Sequence, residues 1–307
     1  MDFEVVQIGD NSVLVVAFDG LDYDLLQRFN CTAFTEMVEF GQIDNHTGIS
    51  EIKTSELFAS FITGETHNEH GITGLTKWTD EAAGSFIDTI APFSKLDTVP
   101  GLHTLRNVLK AVADVKQVKY TAENLESLSL FDHIEDSVPL FVPSYNPSWC
   151  WRIGGGIQSL EYGGGPEQVE ELYEREHPYR RQKLWEVLDE ETHDLVMCHF
   201  HKPDALQHSY GDRDALYDEQ RLEQLYEEMD ALAAEIKEQA EDYDIILFMS
   251  DHGLPQPGLW EHNRNAFYAT NTDTGLEAPH ITEFYQIVQD LIKKSRTDQY
   301  LVEQVDT

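Results

Sequence analysis

Three short, almost wholly apolar runs predict strands in this chain. They are Ser12–Phe18, Leu195–Phe200 and Ile245–Met249. A short apolar run bounded by polar residues is typical of a strand buried on both faces, as in a parallel sheet. Weaker candidates for strands are Val118–Tyr120, Pro139–Val142 and Ala266–Ala269.

Apolar residues at helical spacing predict helices between these strands. In the segment that ends at Gly64, one helical face carries Leu57, Phe58, Phe61 and Ile62. Such a face packs on a core. The expected N-cap is Thr54 or Ser55, and Gly64 is expected to end the helix. Further predicted helices are Pro100–Asp114, Glu167–Glu191 with an interruption near Pro178, Arg213–Ala240 and His280–Ser295.

Metal-ligand residue types follow the three strong strand candidates. Asp19 comes directly after the first, and Asp251 and His252 come after the third. Asp204 and His208, which lie one helical turn apart, follow the second. In α/β sheets the chemistry sits at the carboxyl ends of strands, and oxygen and nitrogen donors there can bind a divalent metal. Each motif taken alone is also compatible with an ordinary polar turn or cap.

A hydroxyl at the start of the Thr54 helix has two possible roles. It can cap the helix, or it can attack phosphorus when a metal ion lowers its pKa, since a helix N-terminus also binds phosphate. His67 and His70 follow this helix in a predicted loop. We expect both histidines to be structural or surface groups and not metal ligands.

The segment from Pro143 to Pro166 differs in character from the rest of the chain. It contains two glycine triplets and the aromatic residues Tyr145, Trp149, Trp151 and Tyr162. This composition favours a loop that folds aromatic surface over a ligand, although a surface linker is the alternative. We therefore expect one domain over residues 1–307, with a glycine- and aromatic-rich loop or small lid at about 143–180.

The charge of the chain excludes some classes of partner. There are 57 acidic and 21 basic residues among 307, which gives a net charge of −36. Such a surface repels nucleic acid and anionic membranes, so neither is an expected partner. The acidic residues are spread along a chain that is 41% hydrophobic, which favours a folded, halophilic protein whose self-repulsion is screened by salt.

The cysteines and the N-terminal residues predict a cytoplasmic protein. Cys31, Cys150 and Cys198 are an odd number without metal-finger spacing, which is typical of reduced thiols. The first apolar run, Val13–Phe18, is too short for a signal peptide or a membrane span.

Taken in their order along the chain, these motifs resemble those of the alkaline phosphatase superfamily. The resemblance is strongest to its type I phosphodiesterase/nucleotide pyrophosphatase branch and spans residues 13–270. The spacing of Thr54, Thr63-Gly64 and His70-Gly71-Ile72 matches the branch, as do the DxxxH motif and the strand followed by DHG. One departure is Glu56, which replaces the usual proline two residues after the nucleophile.

The resemblance implies a three-layer α/β/α fold with a mostly parallel central sheet. It also implies two divalent metal ions, zinc or alternatively manganese, and a phospho-threonine intermediate on the nucleophile Thr54. One ion would be bound by Asp19, Thr54, Asp251 and His252. The other would be bound by Asp204, His208 and His262, with His280 as an alternative to His262. Candidate substrate-binding residues are Lys53, Ser55, Trp149 and Trp151.

The predicted function is hydrolysis of a small-molecule phosphoester, as a phosphodiesterase or nucleotide pyrophosphatase. A phosphomonoesterase could use the same seven residues. A non-catalytic metal- or ligand-binding protein on this scaffold is the alternative from another class. The sulfatase branch is disfavoured because the chain contains no CxPxR or SxPxR motif. The sequence fixes neither the natural substrate nor the oligomeric state.

Overall fold

The computed structural model describes residues 11–78, 117–147, 166–211, 216–257 and 261–293. The predicted helix Pro100–Asp114, Cys150 and the candidates Trp149 and Trp151 lie outside these ranges. The strands are β1 Val13–Phe18, β2 Glu39–Gln42, β3 Thr76–Trp78, β4 Gln117–Lys119, β5 Ser137–Leu140, β6 Leu195–Phe200, β7 Ile245–Met249 and β8 Phe267–Thr270. The helices are α1 Tyr23–Arg28, α2 Thr32–Thr35, α3 Thr54–Thr63, α4 His67–His70, α5 Leu130–His133, α6 Pro166–Glu190, α7 Lys202–Tyr210, α8 Glu219–Gln239 and α9 Phe284–Lys293, with 3₁₀ turns at Ala122–Asn124 and Ile281–Glu283.

The central sheet has the strand order β2-β8-β7-β1-β6-β5. Neighbouring strands from β7 to β5 are parallel, whereas β8 runs antiparallel to both β7 and β2. The mostly parallel sheet that was predicted is therefore confirmed. Phe18 lies opposite Phe200, and Ala17 lies opposite Met249. The residues that follow β1, β6 and β7 consequently meet at one edge of the sheet.

Helices cover both faces of this sheet, so the predicted three layers are confirmed. Alternate side chains of a strand point to opposite faces. Leu14, Val16 and Phe18 pack in one core with apolar residues of α6, α7 and α8. Val13, Val15 and Ala17 pack in a second core with residues of α3, α5 and α9. The burial of β1 on both faces explains why its sequence is continuously apolar.

Helix α3 begins at Thr54, whereas an N-cap at Thr54 or Ser55 would place its first helical residue at least one position later. Lys53 occupies the N-cap position without a side-chain cap bond, and Thr54 is the first helical residue. The expectation of a Thr54 or Ser55 cap was therefore wrong. The reason is that the Thr54 hydroxyl faces His252 instead of the helix amides. Gly64 ends the helix with φ 73°, as predicted.

Helix α6 continues through Pro178, so the predicted interruption there was wrong. Proline inside a helix removes one hydrogen bond and costs about 3 kcal/mol. Packing offsets this cost, because Tyr173, His177 and Arg180 are buried on both sides of the proline.

Several other elements are displaced from their predicted limits. Helix α8 begins after its N-cap Asp218, and Leu216, predicted on its buried stripe, precedes it and is exposed. His67 and His70 lie in the short helix α4 instead of a loop. The predicted closing helix is a 3₁₀ turn followed by α9. Within the described ranges, no helix combines the length and the hydropathy that crossing a bilayer requires.

Candidate active site

The first group of possible ligands lies where β1 and β7 end. Asp19, Asp251 and His252 are completely buried, and one ligand atom from each lies within 4.8 Å of the others. His252 Nε2 is 3.3 Å from Asp19 Oδ1 and 3.4 Å from Asp251 Oδ2. It is also 3.3 Å from Thr54 Oγ1. Thr54, at the start of α3, therefore adjoins this group.

Two oxygens of this group are buried without hydrogen bonds to other described residues. They are Asp19 Oδ1 and Asp251 Oδ2. Buried polar atoms are nearly always paired, and an unpaired buried carboxylate oxygen is costly. A divalent cation satisfies oxygen donors of this kind together with an imidazole nitrogen. The donor set thus fits a metal ion.

A second group consists of Asp204, His208 and His262. Asp204 and His208 lie one turn apart on α7, as predicted, and their Oδ1 and Nε2 atoms are 3.4 Å apart. His262 Nε2 is 3.2 Å from Asp204 Oδ1 and 3.0 Å from His208 Nε2. Because β8 is antiparallel to β7, the residues preceding β8 return to the edge where β7 ends. This reversal brings His262 to the site.

Two glycines allow the loops of the site to approach one another. Gly20, directly after Asp19, has φ +75°, and a Cβ atom there would lie 3.2 Å from the Asp204 Cα atom. A Cβ atom on Gly253 would collide with Asn263 Oδ1 and lie 2.5 Å from Asp22 Oδ2. Asp22 also caps α1 and accepts a hydrogen bond of 2.6 Å from the Asn263 side chain. The space at Gly253 therefore lets Asn263, the neighbour of His262, reach Asp22.

The electrostatics of the first group indicate an excess of negative charge. Burial, reinforced by the Asp19 carboxylate, raises the pKa of Asp251 to about 8. Burial would lower the pKa of His252, but Asp251 and Asp19 raise it to about 10. Asp19 is itself buried, yet contacts with His201, His199 and His252 hold its pKa well below the usual range. Closely placed carboxylates of this kind favour a positive charge among them.

Two other histidines considered in the sequence, His280 and His70, have contacts outside these groups. His280 bonds to Thr282 Oγ1 and to the carbonyl oxygen of His46. These contacts lie outside the second group, so the geometry favours His262 over His280 as its third candidate ligand. His70 is buried and bonds to Ser60 Oγ at 3.1 Å, in keeping with a structural role.

The candidate substrate-binding residues differ in their surroundings. Lys53 forms an ion pair of 2.7 Å with Glu51. Ser55 is buried, and its carbonyl oxygen accepts a hydrogen bond of 2.7 Å from the Ser144 hydroxyl. The two tryptophans belong to the part of the chain that the structure does not describe.

Sequence reasoning missed two histidines beside Asp19. His199 Nε2 and His201 Nδ1 lie 3.0 Å and 2.7 Å from Asp19 Oδ2. With Asp19 they form a third set of grouped donor atoms. The available signal was the pair of histidines flanking Phe200, since a histidine inside an otherwise apolar strand is unusual.

Comparison with known protein families decides the relationship. The model of the family "Type I phosphodiesterase / nucleotide pyrophosphatase" matches residues 13–257. The chain belongs to this family. The predicted type I phosphodiesterase/nucleotide pyrophosphatase branch, a family of phosphoester hydrolases, is therefore confirmed. No curated protein sequence matches this phosphodiesterase-family chain.

Solved structures show more distant likenesses. Murine ectonucleotide pyrophosphatase / phosphodiesterase 5 is 14% identical with a TM-score of 0.42, and the alignment covers 79% of this chain and 57% of that chain. An inactive form of it in complex with AMP is 11% identical with a TM-score of 0.48, covering 92% and 95%. Phosphonoacetate hydrolase from Sinorhizobium meliloti 1021 in complex with phosphonoacetate is 12% identical with a TM-score of 0.43, covering 82% and 60%. The family assignment depends on the sequence match and not on these likenesses.

Proposed function

We propose that this protein is a phosphodiesterase or nucleotide pyrophosphatase that uses Thr54 as its nucleophile beside two divalent metal ions. The observation that carries the proposal is the position of the Thr54 hydroxyl. It lies 3.3 Å from His252 Nε2, within the first ligand group, and the His252 ring contacts the His262 ring of the second group. A hydroxyl that adjoins one set of candidate ligand atoms, with the second set in contact with the first, suits an activated nucleophile.

Each ligand group would hold one ion. Asp19, Asp251 and His252 would bind the first together with Thr54, and Asp204, His208 and His262 would bind the second. Mixed carboxylate and imidazole donors suit zinc, and manganese is the alternative. Bound cations would lower the pKa of the attacking hydroxyl and neutralise charge on the leaving oxygen.

The chain itself orients the reacting groups. His252 Nδ1 lies 2.9 Å from the carbonyl oxygen of Gly253 and donates its proton there, so Nε2 is the nitrogen that would bind a cation in the first group. The first amides of α3 carry partial positive charge and can stabilise the equatorial oxygens of a phosphoryl group. Lys53 and Ser55 flank Thr54 and are the proposed substrate contacts, together with Trp149 and Trp151.

The proposed reaction has two steps. Thr54 Oγ1 attacks phosphorus as the bond to the leaving oxygen breaks. The proton lost from Thr54 is balanced by the one that the leaving alkoxide gains to become an alcohol, and the phosphoryl group, with any remaining ester, is held on Thr54. Water then attacks the phospho-threonine, which releases the phosphate product and regenerates the hydroxyl. A small phosphoester is the proposed substrate, and the proposed setting is the cytoplasm of a halophile.

The test compares Thr54→Ala and Thr54→Ser with the wild-type protein. The substrates are bis(p-nitrophenyl) phosphate and p-nitrophenyl phosphate. Thr54→Ala should abolish turnover, by about 10³-fold or more, without losing bound metal, and Thr54→Ser should retain part of the activity. Thr63→Ala removes the same atoms at the other end of α3 and should leave turnover near the wild-type level.

The outcomes separate the remaining functions. Near-normal hydrolysis by Thr54→Ala would refute the nucleophile. A preference for the monoester would identify a phosphomonoesterase that uses the same residues. Less than one equivalent of bound metal with no turnover would identify a non-catalytic binding protein.

A further inference from the structure

We propose that the buried chain Glu176–Arg180–His199 is a positioning device for Asp19, and that Asp19, His199 and His201 do not form a third metal site. The inference rests on the proposed function in one respect, which is that Asp19 serves as a metal ligand. The geometry of the contacts and the chemistry of arginine carry the rest.

Arg180 is fixed on several sides within the protein. Its side chain is 6% exposed. Its Nε atom donates to Glu176 Oε1, one turn earlier on α6. Its Nη1 atom donates to His199 twice, to Nδ1 at 3.0 Å and to the carbonyl oxygen at 2.6 Å. The guanidinium also lies over the Phe141 ring, with Cζ 4.9 Å from the centroid.

These contacts determine which nitrogen of His199 carries the proton. A guanidinium group has only donors and stays protonated in proteins. His199 Nδ1 must therefore accept from Arg180, and the ring proton is on Nε2. That nitrogen lies 3.0 Å from Asp19 Oδ2 and donates to it. A ring nitrogen that carries a proton has no lone pair for a metal, so His199 cannot be a ligand in this arrangement.

The consequence is a fixed orientation of the Asp19 carboxylate. Its Oδ2 atom accepts from both His199 Nε2 and His201 Nδ1. Its Oδ1 atom has no hydrogen bond within the described residues and lies 3.3 Å from His252 Nε2. Asp19 therefore presents Oδ1, and not Oδ2, to the first ligand group. Partners of this kind around a metal ligand raise metal affinity by holding the ligand in place.

The first measurement is the tautomer of His199 in the metal-free protein, by ¹⁵N NMR of the imidazole nitrogens. We expect Nδ1 to resonate as an unprotonated nitrogen and Nε2 as a protonated one, coupled to its hydrogen. In Arg180→Met the constraint on Nδ1 is removed, and the two tautomers should mix. A protonated Nδ1 in the wild-type protein would overturn the proposal. This measurement does not depend on catalysis or on metal binding.

The second measurement is zinc affinity, by competition with a chromogenic chelator. His199→Leu removes the donor and should weaken one zinc site by about 10- to 100-fold. His199→Gln places an N–H near the position of Nε2 and should restore most of that affinity. His177→Leu is the control, because it removes a different buried histidine, on helix α6, and should leave affinity unchanged.

Different results would overturn the positioning role and the proposed function. Equal losses in His199→Leu and His199→Gln would overturn the positioning role, as would the loss of a third zinc equivalent on replacing His199. Absence of zinc binding and of turnover in the wild-type protein would refute the proposed function, while the tautomer of His199 would still be decided by NMR. If His199→Leu does not fold, the wild-type NMR result and the Arg180→Met variant decide the question.

Discussion

The rings of His252 and His262 lie with their centroids 3.9 Å apart and their planes inclined by 37°. The two residues belong to different ligand groups, one after β7 and one before β8. Their contact makes the two groups a single cluster. Losing a ligand from either group is therefore expected to affect chemistry at both.

Metal content should distinguish His262 from His280. His262→Ala removes a donor that lies 3.2 Å from Asp204 Oδ1, so the protein should lose about one equivalent of bound metal. His280→Ala removes a histidine bonded to Thr282 and His46, and metal content should not change. Inductively coupled plasma mass spectrometry after dialysis measures both. The reverse pattern would assign the ligand to His280.

Gly253→Ala should destabilise the protein and disturb the approach of Asn263. The added Cβ atom would collide with Asn263 Oδ1 and crowd Asp22 Oδ2, so one of the loops must move. Overpacking of this kind typically costs about 1–3 kcal/mol, measured as a lower urea midpoint. Gly74→Ala is the matched control, because among the described residues a Cβ atom there meets only the Thr76 carbonyl oxygen at 3.9 Å. Equal midpoints for the two variants would show that close approach does not require Gly253.

Protonation of His70 should contribute to acid unfolding. Its Nδ1 accepts from the amide of Ile72, and burial lowers the pKa from 6.5 to about 4. The unfolded chain therefore binds the proton more readily, and stability falls as the pH drops from about 6.5 towards 4. The contribution is about 3 kcal/mol at most.

The measurement is the free energy of unfolding in urea between pH 7 and pH 4. His70→Asn keeps an acceptor for Ile72 but does not titrate, so its stability should fall less steeply with acid than that of the wild type. Parallel curves for the two proteins would exclude a contribution from His70.

The net charge of −36 should make stability depend on salt. Screening shortens the range of repulsion between carboxylates from about 30 Å at 0.01 M salt to about 3 Å at 1 M. The melting temperature should therefore be lower in millimolar than in molar KCl. NaCl at the same concentration should act similarly, since screening does not depend on which monovalent cation is used. Equal melting temperatures across this range would refute halophilic adaptation.

The sequence was sufficient to predict the central strands because burial on both faces leaves an unambiguous pattern. β1, β6 and β7 read as apolar runs. The candidate ligand Asp19 follows β1 directly, and the candidate ligand Asp251 follows β7 after Ser250. The short edge strand β2 was not predicted, since its residues Glu39–Gln42 are only partly buried and lack such a run. The strands that are fully buried in the sheet are thus the ones with the clearest apolar pattern in the sequence.

Features that depend on tertiary contacts could not be predicted. Whether Thr54 caps α3 depends on the position of His252, which is distant in the sequence. The continuity of α6 through Pro178 depends on packing around Arg180. The contact of His199 with Asp19 depends on strand register, which pairs Ala17 with His199. Only the histidines that flank Phe200 left a signal in the sequence, and that signal did not identify Asp19 as their partner.

The return of the chain from β7 to β8 also sets where this chain can accept extra residues. The amide of Gly253 bonds to the carbonyl of Asn263, and the amide of Gln256 bonds to the carbonyl of Glu261. These hydrogen bonds hold the segment that leaves β7 against the segment that returns to β8, beside the candidate ligand residues. Extra residues inserted between Gln256 and Glu261 should therefore leave His262 in place. In this chain the interval between Gly253 and His262 is therefore a point where added length should leave the candidate ligand residues in place.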